Sequence, residues 1–312
     1  MKAGALDLSI LIVSYNTREL TLACLASVFD LFSGPSFEVV LVDNASSDGS
    51  AEAIRERFPQ VVMLTPGSNL GFGRANNLAA KQARGERLLL LNPDTEIQAG
   101  SLEAMYAWSL KAEHDVLLGG RTFYADGRLE PRSCCGNISL WSLFCMATGL
   151  ARLAPGSRLL DPESMGRWKR DSVRDVDIIA GCLLMITKTF WDQLGGFDED
   201  FFMYGEDYDL CMRAWDAGGR CTHLPEAKII HHVGASELVR ADRMIKIFSS
   251  RTQLFRKHWG AGHAWLGTRI FDAWALGRMI TFRIAGLLSG RFRASSETWT
   301  DIWAGRKGWH RC

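Results

Sequence analysis

The chain has 312 residues, 47% of them hydrophobic and 23% charged, with a formal net charge of +1. That balance suits one large α/β domain with an appendage, or two domains, and excludes a wholly disordered chain, a coiled coil and a uniformly basic nucleic-acid binder. The near-neutral total hides a split. Residues 1–239 carry 22 Lys+Arg against 31 Asp+Glu, a net of −9, whereas residues 240–312 carry 14 against 4, a net of +10, and hold six of the eleven Trp.

The first 120 residues alternate short apolar runs with helical patterns. Leu8–Val13 is a β-branched run, followed by a helical stretch from Thr17 to about Leu31. Phe37–Val42 is the next strand, and Ser47 or Asp48 can cap the helix that runs to Arg57. Val61–Leu64 predicts a third strand, Arg74–Ala83 a helix and Arg87–Leu91 a fourth strand. This βαβα order predicts a mostly parallel sheet with helices on both faces. Residues 121–175 read as an irregular insertion rather than a domain. Order returns with the apolar run Ile178–Thr187, a helix over Tyr208–Ala217 and a strand-like Lys228–Ile230. From 240 the pattern is helical and basic. The expected domains are therefore 1–239 and 240–312.

The eight cysteines form no C-x-x-C pair, so a zinc knuckle or thioredoxin-type site has no support, and their scatter suits a reducing, cytoplasmic compartment. Leu8–Val13 is too short for a signal peptide. The uncharged stretch Ser133–Ala151 is diluted by Ser, Cys, Asn and Gly. It reads as a loop leading into a short apolar helix rather than a membrane span.

Polar residues cluster where the predicted strands end, which is where open α/β sheets bind ligands. Ser14-Tyr15-Asn16 follows the first strand and Asp43-Asn44 the second. Asn69 to Asn77 follows the third, and Asn92-Pro93-Asp94 the fourth. Any one cluster alone reads more readily as a turn; four in phase favour a binding rim. Gly67 to Gly73 matches neither the P-loop nor the dinucleotide fingerprint, so a kinase or dehydrogenase is poorly supported. The hard oxygens of Asn92 and Asp94 suit Mn²⁺ or Mg²⁺ bridging to a diphosphate. Gly195 to Arg213 packs six carboxylates among aromatics, a crowding that can prepare a general base. Within it, Asp209 and Arg213 are spaced to pair along a helix. His231-His232 offers an imidazole as a further metal ligand.

Taken together, Ser9–Asn16, Val42–Ser50, Asn69–Asn77, Leu89–Thr95, Gly195–Arg213 and His231–Ser236 resemble the nucleotide-sugar-dependent glycosyltransferases of family 2, which have the GT-A fold. The nearest subgroup is similar to the rhamnosyltransferases of bacterial cell-surface polysaccharide synthesis. The resemblance implies a donor nucleotide site at Ser14, Tyr15, Asn16, Asp43, Asn44, Arg74, Asn77 and Asn92. Asp43 would read the base. It implies a metal at Asp94 and His231, with His232 as the alternative and His231 set before a Gly234/Ser236 turn. The first Asp of the family's D-x-D motif is Asn92 here. The resemblance also implies Asp207 as general base beside Glu206, with Gly181, Tyr204 and Glu206 toward the acceptor. The implied reaction moves rhamnose, or galactofuranose or another hexose, from a nucleoside-diphosphate sugar to a glycan or polyprenyl-diphosphate-linked acceptor. A non-catalytic sugar-binding protein of the same fold is the other class. Nucleic acid is not an expected partner.

Basic residues interleaved with Trp259, Trp265, Trp274, Phe282 and Trp299 suit either a helix on an anionic membrane or a subdomain whose Arg and Trp cover the back of the acidic body.

Overall fold

The computed structural model describes residues 6–232 and 240–311. The expected Gly234/Ser236 turn therefore lies outside the described residues. Eleven strands are seen: β1 (Leu6–Ser14), β2 (Phe37–Asp43), β3 (Val62–Leu64), β4 (Gly85–Leu91), β5 (Thr95–Ile97), β6 (Val116–Phe123), β7 (Cys134–Cys135), β8 (Arg174–Asp175), β9 (Ile178–Ile179), β10 (Leu183–Thr187) and β11 (Arg220–His231). The helices of the N-terminal half are α1 (Arg18–Leu31), α2 (Ser50–Arg57), α3 (Phe72–Gln82) and α4 (Ser101–Ser109). They are followed by α5 (Leu140–Thr148), α6 (Leu150–Leu153), α7 (Lys188–Leu194), α8 (Glu206–Asp216), α9 (Arg240–His258), α10 (Ala261–Leu288), α11 (Arg293–Ala304) and α12 (Lys307–Arg311).

β1 is buried along almost its whole length because parallel neighbours flank it on both sides, β2 and β4. Burial on both faces is why it reads as a continuous apolar run rather than an alternation. The main sheet runs β3-β2-β1-β4-β10-β6-β11-β5, with β8 beside β11. β10 is antiparallel to both β4 and β6, and β11 is parallel to β6. The sheet is thus mixed but mostly parallel, with β4, β6 and β11 pointing the same way. Its core joins Ile10, Ile12, Leu25, Leu41, Leu89 and Met185.

Three elements depart from the sequence reading. β6 occupies a central place although its stretch ends inside the expected insertion. Gly119 and Gly120 disguise it: a Cβ at Gly120 would run into the Ala227 carbonyl and Leu183, and one at Gly119 into Ile179. Glycine here marks close backbone approach, not a loop. The run Ile178–Thr187 splits into β9, which pairs with β7, and β10, which pairs with β4 and β6, with a turn at Gly181-Cys182 between them. At α2, Gly49 rather than Ser47 or Asp48 takes the capping position, with φ 77°, while Asp48 still accepts the Ser50 N–H at 3.1 Å.

The chain divides into two compact units. The first comprises residues 1–135, 168–202 and 206–236; the second comprises 136–167, 203–205 and 237–312. Residues 136–167 thus group with the C-terminal helices. In the second unit, Phe248 stacks on Phe271 at 4.4 Å and Phe255 on Trp259 at 4.2 Å. Trp309 is fully buried and donates its indole N–H to Asp272 at 3.0 Å. Trp259, Trp274, Trp299 and Trp303 pack against this cluster, leaving Trp265 as the exposed tryptophan of the tail. Most of the tail tryptophans therefore build a core.

Candidate active site

At the carboxyl end of β1, the Ser14 hydroxyl is buried and meets Thr17 at 3.2 Å and Thr21 at 3.0 Å. Its side chain is committed inside the fold, and its carbonyl accepts the Asn44 N–H at 2.8 Å. Asn16 adopts φ 52°, and its Oδ1 accepts the Ser47 N–H at 2.8 Å, which ties this loop to the one after β2. Tyr15 is exposed between them.

Asp43 closes β2. Its Oδ2 accepts the Ser46 N–H at 3.3 Å, while its Oδ1 is buried with no hydrogen-bond partner among the described residues. A buried carboxylate oxygen without a donor is costly, and a nucleobase N–H is the kind of group that would satisfy it. Asn44 accepts the Leu70 N–H at 2.8 Å and donates to Asn69 Oδ1 at 2.9 Å, binding β2 to the glycine-rich turn. Gly71 in that turn has φ 82°, and a Cβ there would strike the Phe202 carbonyl. Arg74 donates to the Glu199 carbonyl at 2.9 Å and remains half exposed. Asn77 is drawn elsewhere: it donates to the Phe197 carbonyl at 2.8 Å and accepts the Phe197 N–H at 2.9 Å. Its amide is a strut for the loop before α8.

Beyond β4, the Asn92 Oδ1 is also buried without a partner among the described residues. Asp94 Oδ1 lies 3.3 Å from His231 Nε2, at the end of β11. The other ring nitrogen, Nδ1, lies 3.0 Å from Glu130 Oε2. His232 turns away and pairs with Glu96 at 2.7 Å. Burial works against a charge on His231, but the hydrogen bonds and fields of Asp94 and Glu130 outweigh it and raise its pKa to about 9.

α8 opens with Glu206, Asp207 and Asp209 in its first turn, where the helix N-terminus favours carboxylates. Asp207 Oδ2 accepts the Gly181 N–H at 3.3 Å. A Cβ at Gly181 would come within 3.3 Å of the Phe72 ring and 3.9 Å of Asp207 Cβ, so glycine permits this approach. Asp209 is fully buried and pairs with Arg213 at 2.7 Å, a structural ion pair along the helix. Tyr204 belongs to the second unit, with φ 74° and the Arg243 guanidinium 5.9 Å over its ring.

Burial, followed by the fields of Glu130, Asp94 and Asp207, holds the Cys182 thiol far above the ordinary range. A cleft lined by Arg87, His114, Asp115 and Thr187 opens at the amino ends of β4 and β6; ligands of such sheets bind at the carboxyl ends.

Among the described residues, no group of three or more His, Cys, Asp and Glu is arranged to hold a metal ion. The donor set nevertheless fits a substrate-assisted site. One carboxylate and one imidazole nitrogen face each other, and Mn²⁺ or Mg²⁺ commonly completes such a pair with substrate phosphates and water. Glu130 on the far nitrogen is the usual outer partner of a metal-ligating histidine. Sequence reasoning missed Glu130, which lies in a segment read as irregular. Its stretch also holds Asp126, and no spacing in the sequence singles out one carboxylate from the other.

A mixed sheet with an acidic residue closing β2, an N-x-D turn after β4 and a helix-opening Glu-Asp pair is the arrangement of a glycosyltransferase of the GT-A type. Solved structures agree on the fold. The chain aligns over 87% of its length with GalNAc-T7 bound to UDP, GalNAc and Mn²⁺, covering 52% of that chain at TM-score 0.61 and 15% identity. It aligns over 99% with the mannosyltransferase PcManGT from Pyrobaculum calidifontis, in complex with GDP-Man and Mn²⁺, covering 88% of that chain at TM-score 0.59 and 17% identity. Residues 9–150 match the model of glycosyl transferase family 2, and residues 163–304 that of glycosyl transferase family group 2. The chain belongs to glycosyltransferase family 2. It is 29% identical, over 62% of its length, to the N-acetylglucosaminyl-diphospho-decaprenol L-rhamnosyltransferase of Mycobacterium tuberculosis, and the match spans 66% of that relative.

Proposed function

We propose that the protein transfers a sugar, rhamnose first among the candidates, from a nucleoside-diphosphate donor to a glycan or a polyprenyl-diphosphate-linked glycan. Transfer proceeds by one direct displacement with inversion, at the cytoplasmic face of the plasma membrane. The observation that carries this reading is the pairing of Asp94, in the turn after β4, with His231 at the end of β11, whose other ring nitrogen is held by Glu130. The unpaired oxygens of Asp43 and Asn92 supply the donor half of the same rim.

Asp43 accepts an N–H of the base, while Tyr15 and Arg74 remain available at the rim for the base face and the diphosphate. Asp94 and His231 would hold a divalent ion, whose chemistry when bound is to offset the charge of the departing diphosphate. Glu130 fixes the His231 ring so that Nε2 faces Asp94. Asp207 removes the acceptor hydroxyl proton as the oxygen attacks the anomeric carbon, the task of a positioned carboxylate base. Asp207 Oδ2 accepts the Gly181 N–H and its Oδ1 the Tyr208 N–H, which together orient the carboxylate. Glu206 and Gly181 flank the acceptor. Rhamnose is favoured over galactofuranose by the rhamnosyltransferase relative. A screen of nucleoside-diphosphate sugars against N-acetylglucosaminyl-diphospho-polyprenol tests the proposal. Transfer from the rhamnosyl donor is expected; no transfer from any donor would refute it.

A further inference from the structure

α10 is apolar on two opposite faces. One face places Ala264, Gly267, Phe271 and Ala275 in the core of the second unit. The other carries Leu276, Ile280, Ile284, Leu287 and Leu288 at successive turns of the helix. Ile280 and Ile284 are 47% and 56% exposed, and Leu287 and Leu288 are 88% and 84% exposed. Large aliphatic side chains standing this far out of a surface, in one stripe, mark a face that something covers.

Charge indicates the cover. Residues 273–296 contain four Arg and no Asp or Glu. Three of these, Arg283, Arg291 and Arg293, are exposed beside the C-terminal end of the stripe. A second copy meeting this face through a two-fold axis would set arginines against arginines with no acid between them. An anionic lipid surface satisfies both features: the aliphatic side chains enter the acyl boundary and the guanidinium groups lie among phosphates. No helix among the described residues is long and apolar enough to cross a membrane, so α10 lies on the surface.

We propose that the Leu276–Leu288 face of α10, ringed by Arg283, Arg291 and Arg293, docks the protein on an anionic lipid bilayer. This builds on the reading in which the acceptor is lipid-linked, but neither donor nor acceptor enters its test. Flotation is measured with vesicles of phosphatidylcholine, with and without phosphatidylglycerol. The wild-type chain is expected to float with the anionic vesicles and to be released by salt. The double variant Leu287→Gln/Leu288→Gln should weaken partition about tenfold or more. Each of Arg283→Gln, Arg291→Gln and Arg293→Gln should weaken it about fivefold. All four should keep the wild-type thermal midpoint, because the altered side chains are exposed. Failure of the wild type to float, or undiminished flotation of the leucine variant, overturns the proposal. So does a concentration-dependent dimer in sedimentation that the leucine variant abolishes.

Discussion

Replacing Glu130 by alanine separates the orientation of His231 from the presence of its ligand atoms. The carboxylate is buried and holds His231 Nδ1 at 3.0 Å, while Nε2 sits 3.3 Å from Asp94. With Glu130 removed, the ring keeps one anchor, and neither its rotation nor its tautomer is fixed. A buried hydrogen bond to a charged group contributes about 1.5–3 kcal/mol. Loss of such an outer partner typically weakens metal binding about 10–100-fold, the same range expressed as an equilibrium constant. Titration of the protein with Mn²⁺, with the free ion followed by electron paramagnetic resonance, reads this directly. Glu130→Ala should bind Mn²⁺ about 10–100-fold more weakly than wild type. Glu130→Gln, which retains an amide oxygen to accept the Nδ1 proton, should recover most of the difference. Circular dichroism checks that both variants fold. Equal affinity of the folded alanine variant and wild type would refute the orienting role.

Other consequences are open to separate measurement. Asp207→Asn should abolish transfer while donor binding, followed by calorimetry, stays near wild type; full turnover by the variant would remove Asp207 as base. Arg213→Ala removes the guanidinium from fully buried Asp209, which should cost about 3–5 kcal/mol in denaturant unfolding. His223 is buried beside Trp168, and burial lowers its pKa from 6.5 to about 4. The unfolded chain therefore takes up this proton first as pH falls. Stability from this residue is intact above about pH 6.5 and declines toward pH 4, by about 3 kcal/mol in all. Thermal midpoints between pH 7 and pH 4 should show the decline, and His223→Asn should flatten it.

The parallel half of the sheet was legible because buried parallel strands read as unbroken apolar runs. Leu8–Val13 and Phe37–Val42 differ from β1 and β2 only at their ends. β6 was hidden by two glycines whose purpose, close approach to Ala227 and Ile179, exists only in three dimensions. β11 was recognised only at Lys228–Ile230, although it begins at Arg220. At the site, carboxylate crowding drew attention to Asp207 as a candidate, and strand-end position to Asp43, Asp94 and His231. It did not distinguish residues that face the rim from those turned inward. Ser14 and Asn77 sit in the right segments, yet their side chains serve hydroxyl and amide networks within the fold. Glu130 escaped notice because its partner, His231, is a hundred residues away in sequence and meets it only through β6 and β11. The tail's composition was legible and its architecture was not: the tryptophans cluster in a core, and exposed leucine and isoleucine form the outer face.

The central claim is metal-assisted sugar transfer at the Asp94–His231–Asp207 rim. Its most direct test is transfer from a nucleoside-diphosphate rhamnose to N-acetylglucosaminyl-diphospho-polyprenol, followed by NMR of the product anomer. The proposal predicts an inverted linkage that disappears with EDTA and returns with Mn²⁺ or Mg²⁺. A retained anomer, or full transfer with the metal chelated, would contradict it.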